Sequence, residues 1–217
     1  MNGAVAEKPA RQVAPGDQLL VAGPPSRFVG RGALKLDHAL DVFHIDVVGL
    51  RVLDAGASTG GFTDCVLQRG AASVVAVDVG HGQLHERLRA DERVTNVERT
   101  NVRTLERSVI GGPVDLVVGD LSFISLKLVI APLVAVCHPG ASMVLLVKPQ
   151  FEAGRSEVSR GRGVISDESI WGRVRFEIDA ALNAAKCTVA GWTDSPITGA
   201  DGNHEFLVHA RTPEVAP

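Results

Sequence analysis

The chain has 217 residues, 45% hydrophobic and 22% charged, with a formal net charge of −3 and three cysteines. This composition excludes a disordered chain and a uniformly basic coat for nucleic acid, although not a local basic face. No window reaches the roughly 18 uninterrupted apolar residues of a membrane span. Three cysteines far apart (Cys65, Cys137, Cys187) point to buried thiols, not to a disulfide framework or a zinc site.

In chain order, residues 1–25 come first. They are turn-rich, with one short apolar run from Leu19 to Ala22, and are too few for a core of their own. They hold no apolar stretch of signal-peptide type, so the expected location is cytoplasmic. "GALKLDHALDVFHI" (32–45) sets Leu36, Ala39, Leu40 and Phe43 on one helical face, with Lys35 near its start. Short apolar runs then alternate with amphipathic stretches. Strands are predicted at 51–56, 73–80, 93–98, 114–120 and 142–148, and helices near 60–69, 83–90, 103–109 and 125–137. A long helix over 167–186 carries Ile170, Val174, Ile178 and Leu182 at helical spacing, with Ser166 or Asp167 as its N-cap. "HEFLVHAR" (204–211) reads as a last strand, reached through the Gly/Pro-rich "SPITGADGN". This rhythm predicts an α/β fold with a mostly parallel sheet and helices on both faces.

"LDAGASTGGFT" (53–63) follows the first strand and opens a helix, which makes its glycines a ligand-binding turn. Asp78 ends the second strand just over 20 residues on, where a carboxylate can hold the hydroxyls of a ribose. Two adenosine cofactors compete for such a site. A nicotinamide dinucleotide would call for Gly-x-Gly-x-x-Gly, whereas this turn reads Gly56-Ala57-Ser58-Thr59-Gly60-Gly61, preceded by Asp54. S-adenosylmethionine carries no phosphate but has a cationic amino end, which an acidic residue beside the turn suits. Methyl transfer is the favoured reading.

Ligands of open α/β sheets bind at the carboxyl ends of the strands. Those ends are Gly56, Asp78, Asp120 and Lys148, so the fold should bring Lys148 and Asp120 together on neighbouring strands. A lysine at a strand end often only snorkels to water; one facing the ligand crevice is a candidate for chemistry. Amino-group methylation of bases usually uses an Asn/Asp-Pro-Pro-aromatic turn, but here the run is Asp120-Leu121-Ser122-Phe123. Methylation of base carbon needs a cysteine in the crevice, and Cys137 is predicted at a helix end. A ribose hydroxyl remains, a poor nucleophile until a base takes its proton. A lysine serves as that base only with a lowered pKa, which a second cation nearby supplies. Lys35 and Glu205 are the candidates for the second lysine and second acid.

"SRFVGRGALKLDHAL", "LDAGASTGGFTDCVLQRGAASVVAVDVGHGQL", "ERTNVR", "DLVVGDLSFISL", "LVKPQFE" and "GNHEFL" occur in that order over residues 24–211. Together they closely resemble the TlyA family of FtsJ-like ribosomal RNA 2′-O-methyltransferases, also described as hemolysins. The resemblance implies a Rossmann-like class I methyltransferase fold with a seven-stranded sheet whose last strand is antiparallel. It implies S-adenosylmethionine as cofactor and cytidines of 16S and 23S rRNA as substrates. The family's Lys-Asp-Lys-Glu tetrad falls on Lys35, Asp120, Lys148 and Glu205. Its cofactor motif falls on Gly56, Ala57, Ser58, Gly60, Gly61 and Phe62, with Asp78 at the ribose and Asn101 at the adenine. It also divides the chain into a methyltransferase domain over 26–213 and, over 1–25, the tail of a small RNA-binding domain of the ribosomal protein S-four kind.

Arg155, Arg160 and Arg162, expected on a glycine-containing loop after Lys148, and Arg27 and Arg31 beside Lys35, could grip phosphates of ribosomal RNA. The plain alternative is a solvated loop. His81 and His85 have i, i+4 spacing, but no third ligand follows, so no metal is expected. Cys65 and Trp171 read as core. Two other functions compete: a non-catalytic, cofactor-binding protein of the ribosome, and a membrane-active hemolysin. The second would need an amphipathic or spanning segment, and none is evident beyond sheet-covering helices.

Overall fold

The computed structural model describes residues 12–18 and 26–214, except the side chains of Arg155 and Arg160. Helix α1 (Ala33–Val42) leads into an alternating series. It runs β1 (Arg51–Ala55), α2 (Gly61–Gln68), β2 (Ser73–Val77), α3 (Glu86–Arg89) and β3 (Val94–Val97). It continues with α4 (Arg107–Ile110), β4 (Val114–Gly119), α5 (Ile130–Ala135) and β5 (Cys137–Val147). Helices α6 (Pro149–Glu152), α7 (Arg155–Arg160) and α8 (Glu168–Ala184) follow, and β6 (Thr188–Asp194) and β7 (Phe206–Arg211) come last. One seven-stranded sheet has the order β3-β2-β1-β4-β5-β7-β6. Strands β1 to β5 pair in parallel, and β7 runs antiparallel between β5 and β6. This is the Rossmann-like arrangement expected of a class I methyltransferase.

The inner strands β1, β2, β4 and β5 carry apolar runs because both of their faces are covered, whereas edge strand β3 has no fully buried residue. Alternate residues go to opposite layers. Val52, Val74, Leu116, Val144 and Leu146 meet Leu36 and Leu40 of α1 and Phe62 and Val66 of α2. Leu53, Val75, Val117, Met143 and Leu145 meet Leu133 of α5 and Val174, Ile178 and Leu182 of α8. The last three recur every four residues, which gives α8 its buried stripe. Its N-terminus is capped by Asp167, whose side chain accepts from Ser169 N at 2.9 Å.

Several expectations need correction. Strand β6 is missing from the expected strands; it is an edge strand with no fully buried residue. Strand β5 begins at Cys137, so that cysteine opens a strand and does not end a helix. The β4–β5 register jumps from Val114↔Cys137 to Leu116↔Ser142, which lets "HPGA" bulge out of a strand it would otherwise terminate. The helix expected over 103–109 is a 3₁₀ turn (Val102–Thr104) followed by the short α4. Residues 155–160 form a helix and not a loop. His81 and His85 both precede α3, so they share no helix face. His81 contacts Glu98 at 2.6 Å, and His85 caps α3 by accepting from Arg87 N. The run Leu19 to Ala22, and with it most of residues 1–25, lies outside the described residues. Within that stretch, 12–18 contain a turn in which Asp17 N donates to Ala14 O.

Candidate active site

The chain order places the topological switch between β1 and β4, and the site is built at the carboxyl ends of these two strands. Asp120 N donates to Ala55 O at 3.1 Å, which brings the end of β4 against the turn that follows β1. Gly56 has φ +84°, and a Cβ there would stand 2.8 Å from Asp120 O. Only glycine permits this approach. Gly60 serves packing instead, since a Cβ there would strike Leu84 and Leu88. Four of the six backbone donors of the turn are already committed. Gly56 N and Ala57 N both reach Val77 O, at 2.9 and 3.1 Å, and Gly60 N reaches Ala57 O at 2.7 Å. Ser58 N donates to Asp78 Oδ2 at 2.8 Å. With these four engaged, the turn differs from the open nest of N–H groups that holds a pyrophosphate.

Asp78 ends β2 with its other oxygen accepting from Gly80 N at 2.7 Å, and each carboxylate oxygen retains a lone pair for a ligand hydroxyl. Beneath the turn, Asp54 is fully buried in the α2-side layer. Its Oδ2 accepts from Thr63 Oγ1 at 2.7 Å, while Oδ1 has no partner among the described residues. Burial, opposed by the Thr63 bond and reinforced by Asp120 and Asp78, pushes its pKa up to about 7. An orphaned buried carboxylate oxygen under the turn fits a ligand with a cationic amino group.

Two adjoining cavities share Gly56, Ser58, Asp120 and Ser122. The larger, about 540 Å³, adds Asp78, Asn101 and a wall from Leu121 to Ile124. Asn101 accepts from Arg103 N through Oδ1, which leaves its NH₂ group for a ligand. The smaller, about 210 Å³, adds Gly30, Arg31, Gly32, Ala57, Phe62 and Lys148. At their junction Lys148 Nζ lies 2.5 Å from Asp120 Oδ1. That oxygen accepts no aligned hydrogen bond, so the contact is one of charge; the aligned bond from Nζ goes to Ser122 Oγ at 2.8 Å.

The second lysine is paired separately. Lys35 Nζ donates to Glu205 Oε2 at 2.5 Å, both residues buried. The β5–β7 register, with Val147↔Phe206, brings Glu205 across from Lys148 one step beyond the ladder. The four tetrad positions therefore gather at the carboxyl end of β4 and β5 as two ion pairs. The arginines scatter. Arg31 lines the smaller cavity, whereas Arg27 is tied to Asp37 at 2.9 Å and lies over the Phe28 ring. Arg162 is exposed in a turn after α7, and the side chains of Arg155 and Arg160 lie outside the described residues. Cys65 is buried, and Trp171 packs against the core with Nε1 donating to Ile165 O.

Three further residues of this site are not singled out by the sequence pattern. Ser122 sits two positions past Asp120, where a hydroxyl beside the strand end is the one signal that could find it. Phe123 is 91% exposed with φ +64°, a conformation a bulky residue rarely adopts, and its ring lies 5.2 Å from that of Phe151. Glu152 reaches back to this segment, accepting from Ser125 Oγ at 2.5 Å and Leu126 N at 2.7 Å. Among the described residues no group of three or more His, Cys, Asp or Glu could hold a metal ion, and no helix is long and apolar enough to cross a membrane.

Comparison with known proteins gives concordant matches. The FtsJ-like methyltransferase profile matches residues 28–212. The chain is 48% identical over 218 aligned residues to the 16S/23S rRNA (cytidine-2′-O)-methyltransferase TlyA of Mycobacterium tuberculosis, covering 98% of this chain and 79% of that protein. It is 33% identical to the 23S rRNA (cytidine-2′-O)-methyltransferase TlyA of Campylobacter jejuni, covering 84% and 70%. A Lactococcus lactis crystal structure named for a hemolysin superposes with a TM-score of 0.84 at 42% identity, covering 88% of this chain and 91% of that one.

Proposed function

The chain belongs to the FtsJ-like methyltransferase family, and on that premise we propose that it methylates ribose 2′-hydroxyls of cytidines in ribosomal RNA. The methyl donor is S-adenosylmethionine, whose sulfonium supplies the methyl group and keeps the bonding pair when that group leaves. The observation that carries the reading is the Lys148–Asp120 pair, open to both cavities where they meet. The larger cavity takes the donor, with Asp78 on the ribose hydroxyls, Asn101 at the adenine and Asp54 drawing the amino end. The committed N–H groups of the turn favour this phosphate-free cofactor over a dinucleotide.

The smaller cavity takes the target ribose. Lys148 removes the 2′-hydroxyl proton at Nζ, and Asp120 holds that amine by charge. Lys35, fixed by Glu205 beneath the cavities, adds a second positive charge to the same end of the strands, whose field favours the developing alkoxide. Arg31, at the mouth, meets a flanking phosphate, and Arg155, Arg160 and Arg162 extend that contact along the RNA. Phe123 offers a stacking face to an unstacked base.

Similarity to the mycobacterial relative favours substrates in both ribosomal subunits, which sets the work in the cytoplasm. Residues 26–213 form the methyltransferase domain, and residues 1–25 are read as the end of an RNA-binding domain. The test is transfer of labelled methyl groups to purified small and large subunits, followed by mapping of the modified nucleotides. Transfer to 2′-O of cytidine is expected. Label on base atoms, or none with folded protein and donor bound, overturns the reading.

A further inference from the structure

A base must hold its lone pair toward the proton it takes, and an amine at the end of four rotatable bonds does not do so unaided. Two contacts restrain Lys148 Nζ among the described residues. Asp120 Oδ1 is close at 2.5 Å but accepts no aligned hydrogen bond, so it fixes the amine's place and charge without fixing its rotation. Ser122 Oγ takes the aligned bond at 2.8 Å. The ring of Phe151, 5.8 Å from Nζ, closes a further side. We propose that Ser122 is a positioning residue of the reaction, orienting the Lys148 amine so that its remaining direction faces the smaller cavity.

This inference rests on the reading of Lys148 as the base. The amine presents one N–H to Ser122 Oγ and leans on Asp120. Nζ then takes the proton of the 2′-hydroxyl as that oxygen bonds to the methyl carbon a bound S-adenosylmethionine would supply, the C–S bonding pair staying with sulfur, and Nζ passes the proton to water. The residue that anchors Ser122 is also visible. Glu152, four positions beyond Lys148, holds Ser125 Oγ and Leu126 N, which ties the Ser122-bearing segment to the helix that follows the base. Two elements are thereby locked in register at the reacting atom.

The test compares Ser122→Ala, Ser122→Thr and Lys148→Ala in methyl transfer to ribosomal subunits, alongside donor Kd by calorimetry and Tm. Ser122→Ala is expected to lower kcat by on the order of 10- to 100-fold, the scale of a misdirected catalytic group. KM for subunits, donor Kd and Tm should stay within twofold or a degree or two of the parent, about the level of an ordinary surface change. Ser122→Thr, which keeps the hydroxyl, should recover most of kcat. A Ser122→Ala enzyme with parental kcat overturns the inference while Lys148→Ala remains inactive. So does a loss that tracks donor Kd and Tm and that threonine does not repair, since that is a structural role. Should the alanine variant fail to fold, Ser122→Cys, close in size with a weak acceptor, replaces it under the same criteria. A Lys148→Ala enzyme with parental turnover overturns the base reading itself.

Discussion

Two lysine–carboxylate pairs stand at the same end of the inner strands with the same 2.5 Å separation, and they differ in what surrounds them. The lysines are almost equally buried. The carboxylates are not: the Glu205 side chain is 2% exposed and the Asp120 side chain 24%. Lys148 and Asp120 line the smaller cavity, and Asp120 the larger as well, whereas Lys35 and Glu205 line neither. One pair belongs to a rim that meets ligands, with Ser122 and Phe123. The other belongs to a sealed layer beneath it, with Asp54. Equal chemistry at equal distance can therefore meet the reacting groups in one place and support them from beneath in the other, and burial of the acid decides which.

Substitutions test that division directly. On the rim, Lys148→Ala should cut methyl transfer by roughly 10²- to 10⁴-fold while donor binding stays near the parent value, read by single-turnover kinetics and calorimetry. Comparable loss of Tm would erase the distinction. In the sealed layer, Glu205→Ala leaves a buried ammonium unpaired and should cost about 3–5 kcal/mol in chemical denaturation. Replacing both members, Lys35→Met with Glu205→Leu, should restore much of that stability without restoring transfer.

Asp54 gives the sealed layer a pH signature. Its folded pKa, about 7, lies above the ordinary carboxylate value, so the folded state holds the proton that the unfolded state releases. Stability of the ligand-free protein should then fall as pH rises from about 4 to 7. The loss should come to a few kcal/mol, since each tenfold difference in proton affinity between the two states is worth about 1.4 kcal/mol. Asp54→Asn should flatten that slope in urea titrations, and an unchanged slope would assign the proton elsewhere. The smallest effect falls on the rim again. Phe123→Ala should weaken RNA binding by about 1–3 kcal/mol, the worth of one stacked base, with little change in Tm for so exposed a ring.

Much of this arrangement can be read from residues alone, and the gaps have physical causes. Strands β1, β2, β4 and β5 declare themselves because layers on both faces demand apolar runs, while edge strand β3 shows only through Val94 and Val97 at its ends. Strand β6 stays hidden because an edge makes no such demand. Lys148 and Asp120 are found by the rule that ligands meet strand ends, which needs only the strands. Glu205 is no more than a candidate without the family resemblance, since nothing in "GNHEFL" says that β7 enters antiparallel and starts where β5 stops. Which lysine takes which acid is a matter of side-chain geometry, set by the β5–β7 register and the seat of α1. Phe123 is invisible for a related reason: an exposed aromatic spells the same as a buried one.

The occupied turn after β1 has a bearing on competition inside a cell. Adenosine triphosphate offers the same adenine and ribose as the methyl donor. Its charged tail would arrive at a loop whose amides already serve Val77, Ala57 and Asp78, with the carboxylates of Asp54, Asp78 and Asp120 close by. A polyanionic tail finds few free amides there and meets like charge. The turn thus works as a filter as well as a cradle, and a large excess of ATP should leave the bound donor undisplaced in equilibrium dialysis.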